Sequence, residues 1–229
     1  MLDHAMRLSG TPGRPAWRRP EAALLGLAAL VSACILLLPP APARAGCGGV
    51  ESARAKKKVN PGGKAPLAIG DSVMLLAIPE LTRAGYRVNA RGCRQWSEGM
   101  GLIREFKRHG RLSHLVVVAL GADWVITGHD IRQALHLLGK RRVLGLVVPR
   151  ELGGGTSHDA VAVVNGWSAH KKRVVLLNWV SYSRGHGSWF QPDGLHLTFK
   201  GAARFARLLG MAVPYAKTGA FPEGAHYPR

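Results

Sequence analysis

The sequence predicts an α/β fold, a three-layer α/β/α sandwich built on a five-stranded parallel sheet. Apolar runs without polar interruption, which are typical of strands buried on both faces, alternate along the chain with segments whose apolar residues recur at helical spacing. This alternation is typical of a parallel sheet that carries helices on both faces. In such sheets the functional site lies beyond the carboxyl ends of the strands.

The five predicted strands are the apolar runs at residues 67–70, 86–90, 115–120, 143–148 and 174–177. The run that ends before Gly121 is rich in valine, a β-branched residue that favours strands. Helical spacing of apolar residues predicts helices at residues 73–84, 96–109, 131–138, 158–170 and 198–209.

Residues 1–46 have the layout of a secretory signal. Several arginines precede an apolar run at residues 22–38, and Ala43-Arg44-Ala45 supplies small residues for cleavage before Gly46. The run is also close to the length of a spanning helix, so a retained membrane anchor stays open. In both cases we expect the rest of the chain to be extracytoplasmic, which argues against a nucleic-acid partner.

The remaining chain divides by composition. Residues 47–64 are basic, contain Pro61 and hold almost nothing apolar, which predicts a flexible, solvated linker. Residues 65–212 are expected to form the folded domain, and residues 213–229 a tail of unassigned role. We expect a monomer.

The chain is strongly basic, with 32 lysines and arginines against 13 acidic residues and a formal charge of +19. The excess is present on both sides of Ala65, so it is not confined to one tail. Such a surface attracts polyanions. Outside the cytoplasm, we expect an anionic wall polymer or a membrane surface as the partner.

Cysteines and histidines give no sign of a metal or cofactor. Cys34 lies in the apolar run, and the two cysteines that remain, Cys47 and Cys93, are too few for a disulfide framework. A Cys47–Cys93 bond is left open, and Cys93 is interpreted as a small, buried apolar side chain. The histidines lack metal-ligand spacing, so no metal and no cofactor are expected.

Three polar segments follow predicted strands and should meet at one edge of the sheet. Ser72 follows the first strand, Gly121 follows the third, and Asp193 and His196 follow the fifth. A serine nucleophile needs a base within hydrogen-bond reach, and the base needs an acceptor that fixes its tautomer. His196 and Asp193 are three residues apart and could supply both. Ser72 taken alone could equally be the N-cap of the next helix.

The same residues carry a resemblance to a known family. The sequence resembles the SGNH (GDSL-type) hydrolase superfamily, and most of all the extracytoplasmic SGNH domains found with membrane acyltransferases that O-acetylate peptidoglycan. The similar segments, spread over roughly residues 66 to 210, are Gly70–Met74, Ala90–Gln95, Leu120–Trp124, Val148–Arg150, Val164-Asn165, Asn178-Trp179 and Asp193–Thr198. The Gly-x-Ser-x-Gly elbow of α/β-hydrolases is absent from the sequence, which argues against that other esterase fold.

The resemblance implies a flavodoxin-like sandwich and assigns roles to residues of this chain. Ser72 would be the nucleophile, His196 the base and Asp193 the residue that orients it. The oxyanion hole would be formed at Ser72, Cys93 and position 123. We expect a substrate cleft at Asp71, Arg94, Gln95 and Gly121, with Arg94 and Gln95 either lining it or holding its loop.

The sequence departs from the family at position 123, where Asp123 stands in place of the oxyanion asparagine and Trp124 in place of the following glycine. An asparagine amide donates to an oxyanion, whereas an ionised carboxylate repels it. Two hypotheses stay open. One is a serine esterase or O-acyltransferase that acts on O-acylated wall glycans or similar esters, with a separate membrane acyltransferase as acyl donor. The other is a degenerate module that binds wall glycan or a partner protein.

Replacing Asp123 by asparagine distinguishes these hypotheses. Loss of one oxyanion donor costs on the order of 10²–10³ in rate, so Asp123→Asn should raise the turnover of p-nitrophenyl acetate if Asp123 impairs an active site. Turnover of the purified wild-type protein and of Ser72→Ala serves as the reference. An unchanged rate in Asp123→Asn contradicts an impaired oxyanion hole, and no turnover in any variant favours the binding module.

Overall fold

The computed structural model describes residues 47–60, 63–122, 125–154 and 159–218. Its strands are β1 (Glu51–Ala53), β2 (Leu67–Gly70), β3 (Arg87–Ala90), β4 (Leu115–Ala119), β5 (Val143–Val147) and β6 (Val174–Leu177). Its α-helices are α1 (Ser72–Leu75), α2 (Ile78–Arg83), α3 (Trp96–Arg108), α4 (Gly128–Leu138), α5 (Asp159–Ala169), α6 (Trp179–Tyr182), α7 (Phe199–Gly210) and α8 (Ala212–Thr218). Short 3-10 turns lie at Leu152–Gly154 and Gly187–Trp189.

The strands form one sheet in the order β1-β3-β2-β4-β5-β6. The five predicted strands, β2 to β6, pair in parallel, which confirms the α/β prediction. The chain leaves β2 towards β3 on one side and later returns to β4 on the other side. This reversal of strand order makes the carboxyl ends of β2 and β4 the switch point, where ligands bind in open α/β sheets.

Alternate side chains of the strands point into two apolar layers. On β2, Leu67 and Ile69 pack into the layer under α3, α4 and α5, whereas Ala68 packs into the layer under α2, α7 and α8. All three side chains are fully buried, as expected for a central strand covered on both faces. The predicted three-layer sandwich is therefore present.

The sixth strand lies where we expected a solvated linker. β1 pairs antiparallel with β3, with Ser52 opposite Asn89, and the side-chain amide of Asn89 donates to Ser52 Oγ at 2.7 Å. Three residues are too few for an alternating pattern to show in the sequence, and β1 depends on β3 for its hydrogen bonds. Residues 47–64 thus contribute an edge strand to the folded domain.

The helix predicted at residues 73–84 is two short helices, α1 and α2. Pro79, in the first turn of α2, has no N–H for the carbonyl of Leu75, and its ring crowds that carbonyl, so one continuous helix is not possible. At the other end of the domain, the predicted tail begins as α8, in which Val213 is buried and the Tyr215 hydroxyl donates to the carbonyl of Lys171 at 2.8 Å.

Cys47 and Cys93 form a disulfide with a Cα–Cα distance of 5.1 Å. The interpretation of Cys93 as a small apolar side chain was therefore wrong. The backbone approach is close, because a Cβ on Gly92 would lie 2.5 Å from the carbonyl oxygen of Cys47. The disulfide fastens the segment before β1 to the loop between β3 and α3.

The signal or anchor predicted at residues 1–46 lies outside the described residues, as do residues 219–229. Within the described ranges, no helix combines the length and the apolar character that a bilayer crossing requires.

The disulfide should contribute measurably to stability. It joins residues 46 positions apart, for which the chain-entropy model gives about 4 kcal/mol. A reductant should lower the thermal midpoint of the wild-type protein, and Cys47→Ser should show the low midpoint with or without reductant. Cys34→Ser, which leaves both bonded cysteines in place, is the control. An unchanged wild-type midpoint on reduction would contradict the bond's structural role.

Candidate active site

Ser72 lies at the carboxyl end of β2, where it begins α1. β2 is central in the sheet, so its end opens between the ends of β3 and β4. The neighbouring β4 ends at Ala119, close to Asp71, whose N–H donates to the Ala119 carbonyl at 3.3 Å. The position predicted for the serine is therefore the switch point of the sheet.

Ser72, His196 and Asp193 form a continuous chain of hydrogen bonds. His196 Nε2 lies 3.0 Å from Ser72 Oγ, and His196 Nδ1 lies 2.6 Å from Asp193 Oδ2. An ionised carboxylate only accepts hydrogen bonds, so the Nδ1–H donates to Asp193 and leaves Nε2 as the acceptor for the serine hydroxyl. The structure thus brings together three residues that the sequence spreads over 124 positions.

The Asp193 carboxylate is held in its ionised form. Partial burial acts to raise its pKa, but hydrogen bonds from the His196 ring and from the N–H groups of Leu195 and His196 outweigh it, so the pKa lies below its usual value. The two N–H groups donate to Oδ1 at 2.9 and 3.0 Å, which leaves Oδ2 for the imidazole. A carboxylate fixed in this way holds one tautomer of the histidine.

The turn that carries Asp193 and His196 is closed by backbone contacts at its base. Phe190 and Leu197 form an antiparallel bridge, and the Gln191 N–H donates to the His196 carbonyl at 2.8 Å. Gly194 has a φ of +69°, a conformation that glycine adopts without strain. The imidazole therefore projects from a fixed turn towards Ser72.

Arg150, which lies three residues after the end of β5, also holds this turn in place. Its Nε donates to the Gly194 carbonyl at 3.0 Å, and its Nη1 donates to Ser183 Oγ at 3.2 Å. The guanidinium also lies 4.0 Å from the centre of the Phe190 ring, a cation–π distance. Arg150 belongs to one of the segments on which the family resemblance was based, but the sequence analysis gave it no role.

Two of the four residues expected in the cleft are buried beneath the site. Asp71 is 2% exposed; its carboxylate accepts from the N–H of Val73 at 3.1 Å and from that of Ala122 at 3.3 Å. It therefore caps α1 and ties the ends of β2 and β4 together. Arg94 is 4% exposed and donates to the Gly70 carbonyl at 3.0 Å, which braces the residue before Asp71.

The other two expected cleft residues shape the backbone. Gln95 is the N-cap of α3, where it forms a capping box with Glu98. Gly121 is buried and has a φ of +122°, and a Cβ there would lie 3.0 Å from both Ile126 and Pro149. Cys93, expected in the oxyanion hole, has a φ of +53° and is held by its disulfide.

Asp123 and Trp124 lie outside the described residues, so the departure at the expected oxyanion position rests on the sequence alone. The described residues contain no group of three or more histidine, cysteine or acidic side chains arranged to hold a metal ion. The chemistry that the described side chains offer is removal of a proton from the Ser72 hydroxyl by a carboxylate-oriented imidazole.

Comparison with known proteins finds similarity to proteins named as peptidoglycan O-acetyltransferases. The chain is 30% identical over 145 residues to the peptidoglycan O-acetyltransferase OatA of Listeria monocytogenes, an alignment that covers 62% of this chain and 23% of that protein. It is 31% identical over 154 residues to YrhL of Bacillus subtilis, for which the same activity is proposed, with 66% of this chain and 24% of YrhL covered. The chain thus spans about a quarter of these relatives. No family model matches it.

Solved structures share the fold. The C-terminal catalytic domain of peptidoglycan O-acetyltransferase A from Streptococcus pneumoniae superposes with a TM-score of 0.59 at 22% identity, covering 68% of this chain and 95% of that domain. A family 3 carbohydrate esterase from Talaromyces cellulolyticus gives 0.52 at 13% identity, covering 67% and 98%. The chain therefore has the fold of SGNH hydrolases and resembles, over about two thirds of its own length, proteins named as peptidoglycan O-acetyltransferases.

Proposed function

We propose that this chain is an extracytoplasmic serine esterase or O-acyltransferase domain that acts on O-acyl groups of peptidoglycan or a similar wall glycan. The hydrogen-bond chain from Asp193 through His196 to Ser72, at 2.6 and 3.0 Å, is the observation that carries the proposal. The names of the relatives supply the glycan class.

In the first half of the reaction, Ser72 Oγ attacks the acyl carbonyl while His196 Nε2 takes the hydroxyl proton. The tetrahedral intermediate expels the alcohol, to which the imidazolium returns that proton. The products are an acyl ester on Ser72 and a free hydroxyl on the donor. Asp193 stabilises the imidazolium throughout, because it stays ionised and hydrogen-bonded to Nδ1.

In the second half, water or a sugar hydroxyl attacks the ester on Ser72 and gives its proton to His196, which passes a proton to Ser72 Oγ as the ester bond breaks. Attack by water completes hydrolysis, whereas attack by a sugar hydroxyl completes transfer. The backbone N–H groups of Ser72 and Cys93 are the proposed donors to the oxyanion. In a biosynthetic role, a separate membrane acyltransferase would supply the acyl group.

Arg150 is a positioning residue in this proposal, since its hydrogen bonds among the described residues go to Gly194 and Ser183. Its bond to the Gly194 carbonyl and its stacking on Phe190 hold the turn from which His196 projects. A misplaced base costs rate because proton transfer depends on hydrogen-bond distance.

The proposal predicts the effect of two substitutions on p-nitrophenyl acetate hydrolysis. Ser72→Ala should lower the rate of hydrolysis to that of the ester without protein. Asp193→Asn should lower kcat about 10³–10⁴-fold, because the amide no longer fixes the reactive tautomer or stabilises the imidazolium. Glu80→Gln, which changes a carboxylate in an ion pair with Arg83, is the matched control and should leave kcat unchanged.

The outcomes separate the two hypotheses. Wild-type turnover that survives in Ser72→Ala contradicts a serine mechanism. A wild-type protein and an Asp123→Asn variant that are both folded and both inactive would favour the non-catalytic binding module, for which the substitution at position 123 is the specific observation.

A further inference from the structure

A groove separate from the Ser72 site runs along the edge of the sheet between β1, β3 and α3. It has a volume of about 780 Å³, within the range of ligand-binding clefts. Ser52, Arg87 and Asn89 form the floor of the groove. They lie on one face of the sheet, and α3 covers the same face at the neighbouring strand β2. We call this concave surface the edge groove.

The edge groove is lined by an excess of arginine. Its charged residues are five arginines and two glutamates: Arg54, Arg87, Arg91, Arg94, Arg111, Glu98 and Glu105. Glu98 pairs with Arg91, and Glu105 pairs with Arg111 at 3.3 Å. Within the described residues, Arg54 and Arg87 have no carboxylate at ion-pair distance, whereas the charge of Arg94 interacts with those of Glu98 and Asp71. The groove therefore has positive charge left for an anionic ligand.

Arg87 is the best placed of these arginines. Its guanidinium lies 4.1 Å from the centre of the Phe106 ring, and its Nη2 donates to the Arg111 carbonyl at 3.1 Å. Its buried Nε has no acceptor among the described residues. That atom is shielded from solvent, so it is the guanidinium as a whole, which lines the groove, that offers its charge to an anion.

The base of the groove is connected to the Ser72 site through Arg94, which is 4% exposed. Its guanidinium donates to the side-chain oxygen of Asn89 at 2.5 Å and to the carbonyl of Gly70 at 3.0 Å, two residues before Ser72. The loop that carries Arg91 and Arg94 also carries Cys93. A polymer chain in the groove would therefore lie against the loop that helps to form the proposed oxyanion hole.

The rest of the lining is mixed in polarity. Ser52 and Asn89 offer hydrogen-bonding groups, and Val50 and Leu102 offer apolar surface. Sugar rings present both kinds of surface, since hydroxyl edges alternate with C–H faces. A bilayer surface, by contrast, presents no separate strand that could follow a concave groove. The combination of arginine and mixed polarity fits an acidic glycan.

We propose that the edge groove binds the carboxylate groups of an acidic glycan strand, which would run along the sheet edge from Arg87, at the amino end of β3, towards the loop beside Ser72. The inference rests on the proposed function for the identity of the polymer, because the relatives are named for peptidoglycan. The carboxylates would pair with Arg54 and Arg87, and the sugar rings would lie along Leu102.

Calorimetric titration of the full chain tests this. The probe is a muramic-acid-containing tetrasaccharide with free lactyl carboxylates, compared with the same sugar after amidation. We expect amidation to weaken binding about tenfold, as loss of a charge-assisted contact does. The double variant Arg54→Ala/Arg87→Met should also bind about tenfold more weakly, because methionine keeps the packing on Phe106 but removes the charge.

The matched control is Arg104→Ala/Arg207→Ala, which removes two arginines that do not line the groove and should bind within twofold of wild type. Arg54→Ala alone, at an exposed position, gives a second test that does not depend on the half-buried Arg87. Equal binding of the amidated sugar, unchanged binding by the groove variants or an equal loss in the control would overturn the proposal. Tighter binding of poly(glycerol phosphate) than of the carboxylated sugar would overturn it in favour of a phosphate polymer.

Turnover of p-nitrophenyl acetate separates this proposal from the proposed function. A small ester does not need the groove, so Arg54→Ala/Arg87→Met should hydrolyse it at the wild-type rate while binding the glycan weakly. Loss of both activities together with a lowered thermal midpoint would show that the variant misfolds, and Arg54→Ala then decides. A wild-type protein that binds the glycan but never hydrolyses the ester contradicts the proposed function and leaves the groove proposal standing.

Discussion

The candidate site depends on one imidazole, that of His196, held between a carboxylate and a hydroxyl that come from opposite ends of the domain. Ser72 is fixed by the central strand β2, and Asp193 and His196 are fixed by the turn before α7. The two parts meet because α7 packs into the same apolar layer as Ala68 of β2. Gly201 lets α7 approach the segment before the turn, since a Cβ there would lie 1.9 Å from the carbonyl oxygen of Trp189. The geometry of the site is therefore a property of the whole sandwich.

A second constraint acts at the edge of the sheet. The disulfide between Cys47 and Cys93 holds the segment before β1 against the loop after β3, and β1 then forms one wall of the edge groove. Cys93 thus links three features: the sheet edge, the groove and the loop beside Ser72. If the groove holds the glycan, the loop that the disulfide fastens contributes both to glycan binding and to the reaction at Ser72.

Much of this arrangement could be predicted from the sequence, because buried parallel strands are continuous apolar runs and their carboxyl ends must share one edge. That reasoning placed Ser72, Asp193 and His196 together. It missed β1, which is three residues long and depends on β3, and the disulfide, since two cysteines do not reveal their distance. The break at Pro79 followed from the chemistry of proline and was overlooked. The contacts of Arg150 with the turn depend on the paths of two loops, and the local sequence pattern does not define those paths.

The most direct measurement is mass spectrometry of the intact and digested protein after brief exposure to p-nitrophenyl acetate and acid quenching. The account predicts an acetyl group on the peptide that contains Ser72, and its absence from that peptide in Ser72→Ala and in a variant with His196 replaced by alanine. Acetylation confined to lysines, or an equal level on the Ser72 peptide when the imidazole is removed, would contradict a nucleophile activated by His196.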